Sequence, residues 1–255
     1  MGRYEKQKVP RGMKCLIVAA GQGTRLRSLA ASKPLADING TPLIEHVIRL
    51  AVAGGASEFV IVTGYEAERV ENFLAGLASR SGLAIDVVRN PQWARPNGVS
   101  VLAAAPLLDG EFVLLMSDHL FEPAILSGLL AARRTEAALT LACDWRIDRP
   151  DLDLDDATKV RLGEGKRIAR IGKEIGAYEA VDTGVFATGP ALFTALEQSL
   201  AAGGAGSLSE GVQRLADAGK AFAHDMGSGW WVDVDDEPAF QRAERELPAQ
   251  LDRLS

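Results

Sequence analysis

The sequence predicts an α/β fold built on a doubly wound sheet that is mixed but mainly parallel, with a small β-rich subregion in the second half. Three observations support this prediction. Short, continuously apolar runs rich in Val, Ile and Leu have the composition of buried strands. Helical segments separate these runs through about residue 134, which is the alternation of βαβ units. The 255 residues, 47% of them apolar, are enough to bury a core.

The first half contains four candidate strands, each followed by a loop or a helical segment. They are Cys15–Ala20, Glu58–Thr63, Ala84–Arg89 and Phe112–Ser117. The segment TPLIEHVIRLAVAGG predicts a helix with Thr41 as its N-cap, Pro42 at its first position and a glycine stop. Helical patterns in YEAERVENFLAGLASRSG and NGVSVLAAAPLL follow the second and third strands. This order predicts right-handed crossovers and a parallel sheet buried on both faces.

The second half is less regular and adds strands to the sheet. AALTLACDW continues the sheet and precedes an acidic, turn-rich insertion, RIDRPDLDLDDATK. TKVRLGEGKRIARIGK predicts a β-hairpin that turns at Gly163–Gly165. A strand at AVDTGVFATG precedes a helix that ends near Ala201, and another helix begins at Ser209. We therefore predict a single domain over residues 13–250, preceded by a flexible N-terminal extension over residues 1–12.

Charge and cysteine content narrow the functional class. The net charge of −6 argues against a general affinity for nucleic acid or anionic membrane, although it is compatible with a local basic pocket for a small anion. Cys15 and Cys143 lie in apolar stretches, so we expect buried thiols in a reducing compartment. The N-terminal segment lacks the apolar core of a signal peptide, and no stretch approaches the roughly 20 apolar residues of a membrane span. A cytoplasmic location is expected.

The stretch LIVAAGQGTRLRSLAASKPLADING places a glycine turn and two cations after the first strand. Gly21 and Gly23 let backbone N–H groups approach an anion closely, and Arg25 and Lys33 can neutralise its charge. A Rossmann dinucleotide fingerprint would need a third glycine where Leu26 stands, and the Gly-Lys-Ser/Thr of a P-loop is missing. A tight turn with an exposed arginine is the structural alternative to a phosphate-binding loop.

Acidic residues form the second candidate feature. Asp118 follows the strand FVLLMS, at the edge where open α/β sheets bind ligands, and its carboxylate suits a hard divalent cation or a helix N-cap. Asp233 and Asp235 alternate with valines in GWWVDVDDEPAF and are expected on one strand face. We expect them to be metal ligands; the alternative is that they lie on an exposed edge or cap a helix. His119 is expected to be structural or to support a neighbouring ligand.

Together these motifs resemble those of the nucleotidyltransferases that activate sugar and polyol phosphates with a nucleoside triphosphate. That family has a strand, AAGxGTRL, KPL and a helix that opens with a proline. This chain has AAGQGTRL at Ala19–Leu26, KPL at Lys33–Leu35 and GTPLIEHVI at Gly40–Ile48. DATKVRLGEGKRIARIGKEI, AVDTGVF, SLSE, WWVDVDD and the SDH at Ser117–His119 resemble one branch, the CTP:inositol-1-phosphate cytidylyltransferases. The resemblance spans about residues 13–245 and implies a GT-A-like nucleotidyltransferase fold within the MobA-like superfamily.

The resemblance implies a reaction and a set of roles. The enzyme would transfer the cytidylyl group of CTP to a phosphorylated polyol, foremost inositol 1-phosphate, with Mg²⁺ as cofactor and pyrophosphate as by-product. The implied catalytic residues are Arg25, Lys33 and Asp118. Asp118 would hold the metal together with Asp233 or Asp235, and the choice between these two stays open. Nucleotide contacts are implied for Ala19, Ala20, Gly21, Gln22, Gly23, Thr24, Arg25, Lys33, Asn97, Gly98, Ser100 and Ser117. Acceptor contacts are implied for Lys159, Lys173, Asp182, Thr183 and Gly184.

Several alternatives stay open. Asn97 suits a helix N-cap as well as a nucleoside contact. The acceptor would alternatively be phosphocholine, a phosphonate such as 2-aminoethylphosphonate, or a sugar 1-phosphate. Among other classes, the intact Arg25, Lys33 and Asp118 disfavour a silent nucleotide-binding paralogue, and the incomplete glycine pattern disfavours a Rossmann oxidoreductase. The expected partners are CTP and a small phosphorylated acceptor, without nucleic acid or membrane insertion. A homodimer and a separate downstream membrane synthase stay open.

Overall fold

The computed structural model describes residues 13–27 and 29–253. The N-terminal extension predicted over residues 1–12 lies outside the described residues. Within them, the strands are β1 Lys14–Ala19, β2 Asp37–Ile38, β3 Thr41–Pro42, β4 Glu58–Thr63, β5 Ala84–Arg89, β6 Phe112–Met116, β7 His119–Phe121, β8 Leu139–Asp144, β9 Lys159–Leu162, β10 Ile168–Gly172, β11 Ala180–Thr188, β12 Ala221–Asp225 and β13 Trp231–Asp233. The helices are α1 Leu43–Ala53, α2 Ala67–Ser81, α3 Asn97–Ala103, α4 Pro123–Ala131, α5 Ala191–Ala201, α6 Leu208–Asp217 and α7 Glu237–Asp252.

One large sheet forms the centre of the structure. Strands β5, β4, β1 and β6 lie side by side and parallel, and β11 runs antiparallel to β6. The β9–β10 hairpin and the parallel pair of β8 and β12 extend the sheet from β11. This arrangement confirms the predicted mixed, mainly parallel α/β sheet. The backbone N–H of Ser117 donates to the carbonyl of Val18 at 3.1 Å, so the carboxyl ends of β1 and β6 are adjacent.

Two local features shape the rim of this sheet. The register of β11 against β8 shifts between Asp182 and Phe186, where Gly184 adopts a positive φ of 76°. A separate antiparallel pair, β7 with β13, places Asp233 directly opposite His119. Because β7 follows β6 closely in the sequence, the pairing of β7 with β13 brings Asp233, which lies shortly before α7, to the end of β6. Asp118 and the late aspartates therefore lie close together.

Apolar layers cover both faces of the sheet. Alternate residues of β1 enter different layers, with Ile17 in one and Leu16 in the other, as expected for a strand buried on both faces. Cys15 and Cys143 are fully buried free thiols, and burial raises the pKa of each, so the prediction of buried thiols is confirmed. Within the described part of the chain, no helix is both long enough and apolar enough to cross a membrane.

Three local predictions are wrong, and the helix N-cap alternative for Asn97 is excluded. Helix α1 begins at Leu43, because Pro42 is extended and pairs with Asp37 in the small β2–β3 hairpin. Strand β5 is an edge strand, so most of its side chains are exposed. Pro96 takes the N-cap position of α3, and Asn97 is the first helical residue. Helix α6 begins one residue earlier than predicted, because Ser207 caps it by accepting from the backbone N–H of Glu210 at 3.2 Å.

Candidate active site

A cavity of about 880 Å³ opens at the carboxyl ends of β1 and β6. Its walls are the glycine loop after β1, the segment after β6, the acidic insertion between β8 and β9, the middle of β11 and the start of α7. The predicted site residues that line it are Gly21, Gly23, Thr24, Arg25, Lys33, Asn97, Ser117, Asp118, Lys173, Asp182, Gly184, Asp233 and Asp235. The structure thus places most of the residues implied by the resemblance around one space.

The glycine loop packs directly on Lys33. Gly23 has a φ of 59°, and a Cβ added to it would lie 2.4 Å from the Cβ of Lys33. Leu26, fully buried at the end of a short 3-10 turn, fixes the loop to the core. The loop backbone and the Lys33 side chain are therefore positioned as one unit, and a larger residue at position 23 would displace the cation.

We predict that Gly23→Ala weakens CTP binding at least about tenfold, because it displaces Lys33 from the site. The left-handed backbone also strains any L-residue, so the free energy of unfolding should fall by about 1–2 kcal/mol. Gly40→Ala is the matched control: Gly40 has a φ of 82°, and its added Cβ meets no described atom within 4 Å. For Gly40→Ala, calorimetry should show a similar loss of folding stability but an unchanged affinity for CTP. Equal CTP affinity in both variants would contradict the coupling of loop and lysine.

Lys33 and Arg25 are both held by carboxylates. Lys33, only 6% exposed, donates from Nζ to Asp118 Oδ2 at 2.6 Å and also to Asp235. Burial lowers the pKa of Lys33, but the charges of Asp118 and Asp235 outweigh it, so the pKa is raised and the ammonium persists. Arg25 is half-exposed and donates to Asp156 Oδ2 at 2.6 Å and to Asp235. Both cations therefore line the cavity. Each is paired with carboxylates, and a phosphate group would carry the same sign of charge as these partners.

His119 lies between two of the candidate metal ligands. Its Nδ1 is 2.8 Å from Asp118 Oδ1, and its Nε2 is 3.7 Å from Asp233 Oδ2. Burial lowers the pKa of His119, but Asp233 and Asp118 outweigh burial and raise it to about 9. The ring stacks on Trp231, with centroids 6.2 Å apart. The imidazole therefore hydrogen-bonds to Asp118 and lies within ion-pair distance of Asp233.

The acidic residues fit a divalent cation. In the part of the chain that the structure describes, two groups of potential ligands have atoms within 4.8 Å of one another: Asp118, His119 and Asp233, and Asp156, Asp233 and Asp235. Asp233 belongs to both groups, and its Oδ1 is a buried carboxylate oxygen without a hydrogen-bond partner in the described residues. Burial, with the charges of Asp118 and Asp235, raises the pKa of Asp233 to about 7 despite His119. An orphaned buried oxygen beside further carboxylates is the donor set that a hard cation satisfies.

Asp235 and Asp236 have different surroundings from Asp233. β13 ends at Asp233, so Asp235 lies beyond the strand and its carboxylate binds the two cations Lys33 and Arg25. Asp236 caps α7, because its Oδ1 accepts from the backbone N–H of Ala239 at 2.8 Å. The helix cap is therefore Asp236, and Asp233 and Asp235 face the cavity.

Some predicted contact residues point elsewhere. Ser100, 2% exposed, lies 3.0 Å from the side-chain amide of Asn90, and the main chain at Gly98 packs against the carbonyl of Gly206. Thr183 is fully buried and donates to the carbonyl of Ala142 at 2.8 Å. Lys159 donates to the carbonyl of Lys173 at 2.7 Å. These four residues, with Ala19, Ala20 and Gln22, do not form the cavity lining described above.

Other predicted residues lie at the cavity but have unexpected partners. Asn97 Oδ1 accepts from the backbone N–H of Leu208 at 2.9 Å and so joins α3 to α6. Lys173 forms an ion pair with Asp156. Asp182 Oδ1 accepts from the backbone N–H of Gly184 at 2.7 Å, yet burial raises its pKa to about 6. This part of the cavity therefore contains a cation and a partly buried carboxyl group.

The insertion supplies cavity residues beyond the predicted site residues given above. They are Arg149, Pro150, Asp151, Leu152, Asp153, Asp156, Ala157 and Thr158. Asp151 links Arg149 of the insertion to Arg242 of α7. The acidic composition of the segment was the only signal in the sequence, because no regular period shows which of its side chains face inward. The insertion is therefore a wall of the cavity.

A buried carboxylate anchors this wall. Asp144 is fully buried and accepts from Arg146 Nε, Arg149 Nη1 and Trp231 Nε1, each at 2.8 Å. Burial raises the pKa of Asp144, but the hydrogen bonds from Arg146 and Trp231 outweigh it and lower the pKa to about 2. At neutral pH the group is a carboxylate that ties the insertion to β13.

We predict a pH-dependent stability contribution from Asp144. Its lowered pKa favours the folded state above the unfolded value of about 3.9, and this stability is lost as the pH falls towards about 2. Urea denaturation should show wild type more stable than Asp144→Asn by about 1–2 kcal/mol near pH 6, with the difference narrowing between about pH 4 and 2. Asp86→Asn, on the exposed edge strand, should show no such narrowing. A constant gap for Asp144→Asn across this range would refute the prediction.

Comparison with known proteins places this geometry in a family. The model of the MobA-like NTP transferase domain matches residues 15–218. A bifunctional IPC transferase and DIPP synthase of Rubrobacter xylanophilus is 38% identical over 88% of this chain and 49% of its own length. The protein of the same name from Archaeoglobus fulgidus is 31% identical over 92% of this chain and 44% of its own. The chain thus spans about half the length of these curated relatives.

A solved structure agrees over nearly the whole chain. The inositol-1-phosphate CTP transferase from T. maritima superposes with a TM-score of 0.83 at 25% identity, covering 94% of this chain and 96% of that one. From the domain match and the shared fold, the chain belongs to the MobA-like NTP transferase family.

Proposed function

We propose that this chain transfers the cytidylyl group of CTP to a phosphorylated polyol, foremost inositol 1-phosphate, and releases pyrophosphate and CDP-inositol. One observation carries the proposal: Arg25 and Lys33 meet Asp118, Asp233 and Asp235 in a single cavity at the carboxyl ends of β1 and β6. That cavity has the charges that a triphosphate and its counter-ion need. The names of the inositol-1-phosphate CTP transferase and the IPC transferases support the choice of nucleotide and acceptor.

The two cations would hold the triphosphate. Backbone N–H groups of the loop from Gly21 would contact phosphate oxygens, while Arg25 and Lys33 neutralise the charge that builds on the departing pyrophosphate. The acceptor phosphate would attack the α-phosphorus in line. Because a phosphate is already ionised at neutral pH, the reaction needs no general base, and positioning supplies most of the catalysis.

Asp118 and Asp233 would hold a divalent cation, with Asp235 close enough to contribute. Mg²⁺ suits this oxygen-rich donor set, and when bound it would neutralise charge on the reacting phosphates. His119 would keep Asp118 oriented through the contact between Nδ1 and Oδ1. Lys33, bonded to Asp118, would stay protonated throughout and hold the metal side and the phosphate side of the cavity together.

The acceptor would bind on the side of Lys173. This lysine would contact the acceptor phosphate, and Asp182 with the main chain at Gly184 would meet polyol hydroxyls. Hydroxyl groups pair well with a carboxyl group, which supports a polyol over an apolar acceptor. A cytoplasmic location, a homodimer and a separate downstream synthase remain predictions from the sequence.

A pyrophosphate-release assay tests the proposal. The purified chain with Mg²⁺ would be given each of the four nucleoside triphosphates together with inositol 1-phosphate, phosphocholine, 2-aminoethylphosphonate or glucose 1-phosphate. We expect release to be fastest with CTP and inositol 1-phosphate, and mass spectrometry should then detect CDP-inositol. Fast release with another acceptor would support nucleotidyl transfer but show that inositol 1-phosphate is not the preferred acceptor. No release in any combination would overturn the proposed activity.

A further inference from the structure

Among the described residues that line the cavity, Asp156 is the one that binds two predicted phosphate-binding cations from opposite sides of the proposed reaction. Its Oδ2 accepts from Arg25 at 2.6 Å, and its Oδ1 pairs with Lys173. Arg25 belongs to the nucleotide loop, whereas Lys173 follows the β9–β10 hairpin. A single carboxylate from the insertion therefore bridges the nucleotide side and the acceptor side of the cavity.

The arrangement around Asp156 resembles the way in which a phosphate group is bound. An arginine and a lysine donate to two oxygens of one anion, which is the usual donor set for phosphate. Burial raises the pKa of Asp156, but hydrogen bonds from Arg25 and Lys173 outweigh it, and the pKa lies well below its ordinary value. Asp156 is consequently an anion at neutral pH.

A local turn presents this carboxylate. Asp153 Oδ1 accepts from the backbone N–H groups of Asp155 and Asp156, at 3.0 and 3.3 Å, and the N–H of Ala157 donates to the Asp153 carbonyl at 2.8 Å. The insertion is anchored upstream through Asp151. Among the described residues, the hydrogen bonds of the Asp156 side chain are with the two cations, so it can move aside without breaking the turn that carries it.

We propose that Asp156 is an internal substitute for the substrate phosphates: its carboxylate occupies the place between Arg25 and Lys173 until phosphate groups displace it. The inference rests on the proposed function, because it assumes that both cations bind phosphates. Displacement exchanges one anion for another at each cation. Asp156 is 28% exposed in its side chain and can return to water when it leaves.

The sign of one binding change tests the inference. Removing the charge in Asp156→Asn takes one of two carboxylate partners from Arg25 and the ion-pair partner from Lys173. The affinity for pyrophosphate without metal, and for CTP with Mg²⁺, should therefore rise roughly 3–10-fold. Asp148→Asn is the matched control, since Asp148 is an exposed aspartate of the same insertion outside the cavity lining. Titration calorimetry should show unchanged affinities in this control. An unchanged or weaker affinity in Asp156→Asn would overturn the inference.

A second measurement uses wild type and does not depend on the folding of a variant. In a crystal structure with pyrophosphate, phosphate oxygens should contact Arg25 and Lys173, and Asp156 should have left both. Asp156 still paired with Arg25 beside bound pyrophosphate would make it a fixed structural partner and overturn the inference, while leaving the proposed function standing. Failure of wild type to bind CTP or pyrophosphate at all would remove the proposed function and this inference together.

Discussion

Asp118→Asn is expected to lower kcat for pyrophosphate release from CTP by about 10³-fold or more, equivalent to about 4 kcal/mol of transition-state stabilisation. Asp118 contacts Lys33 at 2.6 Å and His119 at 2.8 Å, and it is the candidate cation ligand at the end of β6. Asparagine keeps the size of the side chain but loses the negative charge that pairs with Lys33 and would bind the divalent cation. Steady-state assays with saturating CTP and Mg²⁺ would measure the loss.

The control for this prediction is Asp86→Asn, which makes the same chemical change on the exposed edge strand β5. Its kcat should equal that of wild type, and the circular dichroism spectra of the two variants should match. If Asp118→Asn retained more than about a tenth of the wild-type kcat, Asp118 would have no place in the proposed mechanism.

Lys33→Met is expected to reduce kcat/KM for CTP by roughly 10²–10³-fold. Lys33 is 6% exposed and is bonded to Asp118 and Asp235, so its loss removes a phosphate-binding charge and leaves two carboxylates facing each other. Methionine has a similar length and fills the space beneath Gly23. The defect should therefore appear in CTP binding and turnover more strongly than in unfolding by urea.

Lys220→Met is the matched control, because Lys220 is an exposed residue in the turn before β12. This substitution removes the same charge from the protein without touching the cavity. Its kcat/KM should remain that of wild type. A Lys33→Met enzyme with near-normal kcat/KM would show that the glycine loop binds CTP without a lysine, and the assigned role of Lys33 would be wrong.

The sheet could be predicted because its signals are local. Strands β4 and β5 occupy the predicted residues, since a short apolar run bounded by turn residues is sufficient to locate each one. The burial of β5 could not be predicted in the same way. Whether a strand lies at the edge or in the centre depends on the order of strands in the sheet, and no single run of sequence contains that order.

The candidate site was predictable where a motif follows a strand end. Asp118 and the glycine loop come directly after β6 and β1, so the topology of a parallel sheet brings them together. Ser100 and Thr183 show the limit of this reasoning. A hydroxyl group serves a ligand or a buried backbone partner equally well, and only the packed structure shows that both hydroxyls are directed to internal partners.

The least predictable contact is that between Arg25 and Asp156, which are separated by 131 residues. Its formation depends on how the insertion folds back over the sheet, and the insertion has neither helical nor strand periodicity. The choice between Asp233 and Asp235 was also beyond the sequence, because both face the cavity. Their partners distinguish them: Asp235 binds cations of the protein, whereas Asp233 has an oxygen to offer a metal.

A crystal structure of wild type with CTP and Mn²⁺ tests the central claim most directly. The account predicts phosphate oxygens in contact with Arg25, Lys33 and the backbone from Gly21, and an anomalous Mn²⁺ peak bound by Asp118 and Asp233. Nucleotide bound in another part of the protein, or a metal peak away from both aspartates, would contradict it.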